Sequence, residues 1–122
     1  MSTSRFRVWL DEEHQILHQR LDGQPSLSEF LQLSVETGEC AQRLQEPGNV
    51  RLLIEGEGLG QLPRAVRTAI VDTLREPDLK RVAVVTTHRF ARIMMRFLVV
   101  ATGVAKLRSF RDRDEALEWL LS

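Results

Sequence analysis

Apolar side chains recur at every second position in "FRVWL" (Phe6 to Leu10), which places Phe6, Val8 and Leu10 on one face of an extended segment. The polar Asp11-Glu12-Glu13 run then turns the chain into a second extended segment, so an opening hairpin is predicted. From Pro25 the period changes. Ser26 and Glu29 have capping-box spacing, and Pro47-Gly48 closes the stretch they open, which frames a helix of roughly five turns. Its inward stripe reads Leu27, Phe30, Leu31, Ser34, Gly38 and Ala41. The stripe becomes small toward its end, which predicts close packing against a sheet.

"VRLLIE" (Val50 to Glu55) and "RVAVVT" (Arg81 to Thr86) are short, rich in β-branched residues and nearly continuous in apolar character. Strands covered on both faces have this pattern, so these two belong at the centre of a sheet. Between them Pro63 suits a first helical turn, and Leu62, Val66, Ala69, Ile70 and Leu74 follow at helical spacing until Pro77. The resulting strand-helix-strand unit predicts a parallel pair with a right-handed crossover. A further helix follows Thr87, and "VAKLRSF" (Val104 to Phe110) gives a last strand whose Lys106 and Arg108 would blunt an exposed edge. "DRDEALEWLL" closes the chain: Asp112 caps, Glu115 sits three residues later, and Ala116, Leu117 and Leu120 face inward with Trp119 to the side. The predicted class is α/β with element order β-β-α-β-α-β-α-β-α, a mixed sheet of about five strands in one domain spanning residues 1–122.

Composition narrows the task more than the fold. With 17 basic and 17 acidic residues the formal charge is zero, which removes the net positive field that nucleic-acid binding exploits. The single cysteine, Cys40, excludes an internal disulfide. "MSTSRFRVWLDEE" has no apolar core segment of the kind a signal peptide needs. The longest strongly apolar stretch, Phe97 to Ala101, is far below the ~20 residues that span a bilayer. The expectation is a cytoplasmic protein without a transmembrane segment.

The element order, the long first helix, the bare "RVAVVT" strand and the ending "FRDRDEALEWLL" together resemble the SpoIIAA-like branch of the STAS domains, the sulfate-transporter and anti-sigma-factor-antagonist fold. The resemblance covers nearly the full length. Its most specific piece is Phe110 leading into Glu115-Ala116-Leu117 and Trp119-Leu120, where the family tends to place an aromatic, a capping acid and a Trp-Leu pair. These are packing residues, so they speak for a fold more than for a task. The resemblance implies a mixed sheet with packed helices and non-enzymatic work: binding a protein partner or, as in the related CRAL-TRIO-type lipid carriers, holding a small apolar ligand.

"IEGEGLGQLPRAV" (Ile54 to Val66) joins the first central strand to its helix through three glycines. A phosphate cradle needs converging N–H groups and usually a cation, whereas Glu55 and Glu57 meet any arriving anion here. The loop also lacks the G-x-x-x-x-G-K-[ST] pattern. One reading is a tight corner in which glycine permits positive φ. The other comes from the resemblance: sigma-regulating STAS proteins carry a phosphorylatable serine in an acid-Ser-Ser-Gly-Leu-Gly loop, and "EGEGLG" looks like that hexapeptide with Gly56 and Glu57 in place of the serines. The switch-loop equivalent would be Glu55, Glu57, Gly58 and Gly60, with Glu57 imitating a phosphoserine at about half its charge. On either reading the loop offers no hydroxyl from Glu55 to Val66 and so no phosphoswitch.

"THRFARIMMRFLVVATG" carries the most informative pattern. On a helical wheel Arg89, Arg92 and Arg96 fall within ~60° of one another, while Ile93, Met94, Met95, Phe97, Leu98, Val99 and Val100 cover most of the rest. One sheet face needs an apolar arc of little more than ~100°, so the surplus must meet something else. Three covers are open: a neighbouring helix of the same chain, such as the C-terminal one with Trp119; a protein partner or second copy in a homodimer; or an apolar ligand or shallow membrane contact with the arginines snorkelling. The candidate surface is Arg89, Arg92, Met94, Met95, Arg96, Phe97 and Leu98. Thr86, Thr87, His88 and Arg89 mark the strand's carboxyl end and the helix start, where open α/β sheets favour polar ligands. The alternative there is Thr87 as a helix cap with His88 an ordinary first-turn residue.

Signals of catalysis are weak. His14 and His18 lie four apart on a predicted strand without further ligands at metal spacing, and H-E-x-x-H is absent. Cys40 sits mid-helix without a local base, as a small buried residue. No tyrosine and no G-x-S-x-G elbow is present, and each carboxylate group suits a turn, loop or cap. The expectation is a binding or regulatory module that is not an enzyme, with no catalytic, metal or cofactor residues. It would act through protein contacts, or alternatively as a carrier or sensor of a small apolar or lipid-like ligand.

Overall fold

The computed structural model describes residues 5–56, 63–103 and 105–122. Strands β1 (Phe6–Asp11) and β2 (Ile16–Leu21) form the opening hairpin, with Trp9 opposite His18 and Leu10 opposite Leu17. Helix α1 (Leu27–Ala41) leads to β3 (Val50–Gly56), α2 (Arg64–Leu74) to β4 (Leu79–Val85), and α3 (Arg89–Thr102) to β5 (Leu107–Phe110) before α4 (Arg113–Leu121) ends the chain. The five strands lie in the order β1-β2-β3-β4-β5. β1 pairs antiparallel with β2, and every later pairing is parallel.

The strand alternation distributes the four helices. Leu17, Leu21, Leu52, Val82, Val84 and Leu107 point to one face and join Leu33 and Ala41 of α1, Leu74 of α2, and Ala91 and Met95 of α3. Ile16, Leu53 and Ala83 point to the opposite face, where Ala116 and Leu120 of α4 bury completely. Because β3 and β4 contribute to both clusters, they have the nearly continuous apolar character of strands without a wet side. α1 packs over β1 and β2 at one edge of its face, and α3 over β5 at the other.

Local chemistry sets the boundaries. Ser26 Oγ accepts from the Glu29 N–H at 3.2 Å while the Glu29 carboxylate accepts from the Ser26 N–H at 3.0 Å, a complete capping box. α1 ends at Ala41, a turn short of the sequence expectation, and residues 42–49 run as turns and bends. α3 stops at Gly103, whose φ of 71° lies in the left-handed region that favours glycine. The cap of α3 corrects the sequence reading: His88, not Thr87, is the N-cap, and its Nδ1 accepts from the Ala91 N–H at 3.2 Å. Asp112 caps α4 as expected, accepting from the Asp114 N–H at 2.9 Å. Among the described residues no helix is long and apolar enough to cross a membrane.

Candidate functional site

Three of the expected inward positions of α1, Leu27, Leu31 and Gly38, are exposed, Leu31 by 51%. Leu33, Thr37 and Phe30 turn toward the sheet with Ser34 and Ala41. A Cβ built on Gly38 meets nothing within 4 Å, so the small residues do not bring α1 closer to the sheet. They leave space.

That space is a cavity of about 310 Å³ between α1, α2 and the helix-bearing sheet face. Its walls are apolar: Leu33 and Ala41 from α1, Val66, Ile70 and Leu74 from α2, Leu52, Ile54, Val82 and Val84 from the sheet, and Met95 and Leu98 from α3. Its volume falls at the lower end of ligand pockets, which run ~300–1,000 Å³. Five polar side chains stand around it besides the exposed Glu76 and Asp78 at one end: Gln19, Ser34, Thr37, Gln42 and Thr73. Gln19 is the buried one. It sits between Leu17 and Leu21 on the core side of β2, and its Nε2 donates to Thr37 Oγ1 at 2.8 Å. The Ser34, Thr37 and Thr73 hydroxyls donate to the carbonyl oxygens of Phe30 (3.1 Å), Leu33 (2.7 Å) and Ala69 (2.9 Å).

The α3 surface divides differently from its expected outline. Met95 is only 8% exposed and belongs to the core, as the phase of the helix sets Ala91 and Met95 on the sheet. Met94, Leu98 and Arg92 are half-buried, and Arg89, Arg96 and Phe97 are exposed. The outward stripe is Phe90, Ile93, Phe97 and Val100, the last two exposed by 69% and 78%. Phe90, Ile93 and Val100 fall outside the candidate surface drawn from the sequence, because the wheel alone did not say which side of a nearly all-apolar helix meets the sheet. α4 cannot cover the stripe, since it packs on the opposite face of the sheet. Among the described residues, Arg89, Arg92 and Arg96 have no carboxylate within ion-pair distance.

At the start of α3, Thr86 is fully buried and its Oγ1 accepts from the His88 N–H at 3.1 Å, so it serves the turn from inside. Thr87, His88 and Arg89 are exposed. The His88 Nδ1 is already occupied by its cap bond, which leaves a thin polar platform there. Glu55 ends the switch-loop comparison on a structural note: it is half-buried near the end of β3, with its Oε1 3.6 Å from Arg113 Nε at the start of α4. Glu57, Gly58 and Gly60 lie outside the described residues.

The hairpin holds a cluster that the sequence reading set aside. His14 is in the turn, not on a strand, and Asp11 Oδ2 is 2.9 Å from its Nδ1 and 3.4 Å from His18 Nε2. His18 is 2% exposed, and its Nδ1 has no hydrogen-bond partner among the described residues. Burial pushes its pKa below the ordinary histidine value despite the bond to Asp11. The Asp11 bond instead raises the pKa of the exposed His14. For Asp11 itself, burial alone would raise the carboxyl, but the bonds from His14 and His18 outweigh it and leave it lowered. Among the described residues, no three His, Cys, Asp or Glu side chains are grouped so as to hold a metal ion.

Cys40 is half-buried and packs against the core from α1.

Comparison with solved structures finds the same architecture in an uncharacterised protein of the DUF3478 family with a SpoIIAA-like fold from Shewanella loihica PV-4: TM-score 0.68, 18% identity, and 98% of each chain covered. At that identity the likeness speaks for the fold alone. Comparison with curated proteins finds no match. The SpoIIAA-like family model matches residues 16–121, from the first residue of β2 to the last of α4. Since that match takes in four of the five strands and all four helices, the chain belongs to the SpoIIAA-like family.

Proposed function

We propose that this protein is a non-catalytic binding module that takes up a small apolar ligand in the cavity between α1, α2 and the sheet. The observation that carries the reading is the cavity itself: about 310 Å³ walled by apolar side chains, with one buried amide at Gln19 and, among the described residues, no basic side chain in its lining. A space of that kind stays unfilled at a cost to stability unless something apolar occupies it. Native mass spectrometry of gently purified protein tests this directly. A retained small mass that is lost when Gly38 is replaced by leucine supports the reading, and an empty chain that also fails to bind added apolar compounds removes it.

The outward stripe of α3 favours a second role, self-association. Phe90, Ile93, Phe97 and Val100 follow 3-4-3 spacing, which puts Arg89 and Arg96 at the flanking position of the seam. Two copies of α3 packed antiparallel would set arginine against arginine, and parallel packing would offer them no acid. The exposed α1 stripe of Leu27, Leu31 and Val35 is the better match, because Glu36 and Glu39 lie beside it. α1 and α3 lie toward opposite edges of one sheet face, so a two-fold axis along the helix layer brings α1 of each copy to α3 of the other. The occupant of the α3 stripe is then α1 of a second copy in a homodimer. Sedimentation or light scattering decides it: a dimer dissociated by Phe97→Glu and by Val35→Glu alike supports this pairing, and a monomer at all concentrations rejects it.

A further inference from the structure

From the polar groups around the cavity we infer the chemical class of its ligand: an uncharged, mainly apolar molecule with a single hydrogen-bond donor such as a hydroxyl, and neither a fatty-acid anion nor a phosphorylated lipid. The inference rests on the cavity reading above and goes further by naming what the cavity selects.

The first step concerns charge. Among the described residues no lysine, arginine or histidine lines the cavity, and its charged neighbours are the acids Glu76 and Asp78 at one exposed end. Lys106 lies close to that end, where its Nζ donates to the Glu76 carbonyl oxygen at 2.8 Å, but it is outside the lining. The residues 57–62, "EGLGQL", contain no basic side chain. A carboxylate or phosphate carried into this space would therefore lose its hydration without gaining a cation.

The second step concerns direction. Each hydroxyl has one proton, and those of Ser34, Thr37 and Thr73 are committed to the helix carbonyls of Phe30, Leu33 and Ala69. Toward the cavity these oxygens have lone pairs only. Because Thr37 has given its proton to Leu33, it can only accept from Gln19, which fixes the amide with Nε2 toward Thr37 and leaves Oε1 as the acceptor of the buried side chain. The inner wall is thus rich in acceptors, and the donors its side chains have left are amide N–H groups, the second Nε2 proton of Gln19 and those of the exposed Gln42. A ligand hydroxyl donating to Gln19 Oε1 satisfies it, whereas an ether or ester oxygen does not.

The third step concerns size. At roughly 30 Å³ for a water-sized unit, about 310 Å³ holds on the order of ten non-hydrogen atoms, the scale of a ten-carbon alcohol.

Equilibrium dialysis of the full chain with labelled 1-decanol, decyl methyl ether and sodium decanoate at pH 7.5 tests all three steps. The alcohol should bind about 2- to 10-fold tighter than the ether, the value of one neutral hydrogen bond. Decanoate should bind at least tenfold more weakly than the alcohol, and should tighten as pH falls toward its own pKa and the anion is neutralised. Gln19→Met, which keeps the volume and removes the acceptor, should erase the alcohol's advantage over the ether. Decanoate binding as tightly as decanol at pH 7.5, or an ether indistinguishable from the alcohol in the unmodified chain, overturns the ligand class while leaving the cavity reading in place. Failure of all three compounds to bind defeats the cavity reading itself. The unmodified-chain comparisons decide the matter even if the variant does not fold.

Discussion

Trp9 and His18 face each other across the β1–β2 ladder with their rings stacked, centroids 5.0 Å apart and planes within 9°. The pair closes a part of the sheet face over which α4 does not extend. The indole shields an imidazole that is neutral and short of one hydrogen bond.

Stability should therefore depend on pH through His18. Burial lowers its pKa from 6.5 and outweighs the opposing hydrogen bond and charge of Asp11, with a reinforcing influence from Arg113 and an opposing one from Glu55. The unfolded chain takes up the proton near 6.5 and the native state only at lower pH, so this contribution to stability is lost as pH falls below about 6.5. His14, raised by Asp11, has the opposite sign: its contribution is full below 6.5 and fades as pH rises through the raised value. In urea titrations between pH 7.5 and 5, His18→Phe should lose less stability on acidification than the unmodified chain. An equal loss would place the titrating group elsewhere.

Gly38 separates two effects of filling space. Its added Cβ meets no atom within 4 Å and its φ is not positive, so Gly38→Ala should stabilise the chain by ~0.5–1 kcal/mol through helix propensity alone. Gly38→Leu should keep the fold and reduce the uptake of apolar compounds. Thermal melts beside ligand titrations check both.

Neighbouring residues on α3 should behave oppositely. Met95→Glu puts a carboxylate into the core and should cost several kcal/mol, enough to unfold a marginal domain. Phe97→Glu lies on the exposed stripe and should leave the melting temperature of a monomeric sample nearly unchanged. A comparable loss for both would show that the stripe is packed in solution.

Ser26→Ala should cost about 1 kcal/mol by opening the capping box of α1, measured as a shift in the urea midpoint without a change in slope.

The element order and the central, parallel placing of β3 and β4 were legible because those two strands are apolar on both faces and the capping signals at Ser26 and Asp112 are local. The cavity was not legible for the same residues that define it. Ser34, Gly38 and Ala41 read equally well as close contact or as space, and only the separation of α1 from α2 distinguishes them. One signal was available: in "ILHQRL" the alternation that sends Leu17 and Leu21 inward sends Gln19 with them, and a polar side chain among core positions asks for a partner. On α3 the apolar surplus was visible, but its phase was not, because ten of its 14 residues are apolar and the sheet could have met several arcs.

Each strand of this sheet hydrogen-bonds only to the strands before and after it in the chain. No strand has to be inserted between two already in place, so assembly can follow synthesis: the hairpin emerges first, and each helix-strand unit is added at the growing edge. The last addition, four-residue β5 with α4, closes the second face, and until the ribosome has released it Leu53 and Ala83 stay uncovered. Nascent chains halted before Arg113 should for that reason be the ones that need a chaperone.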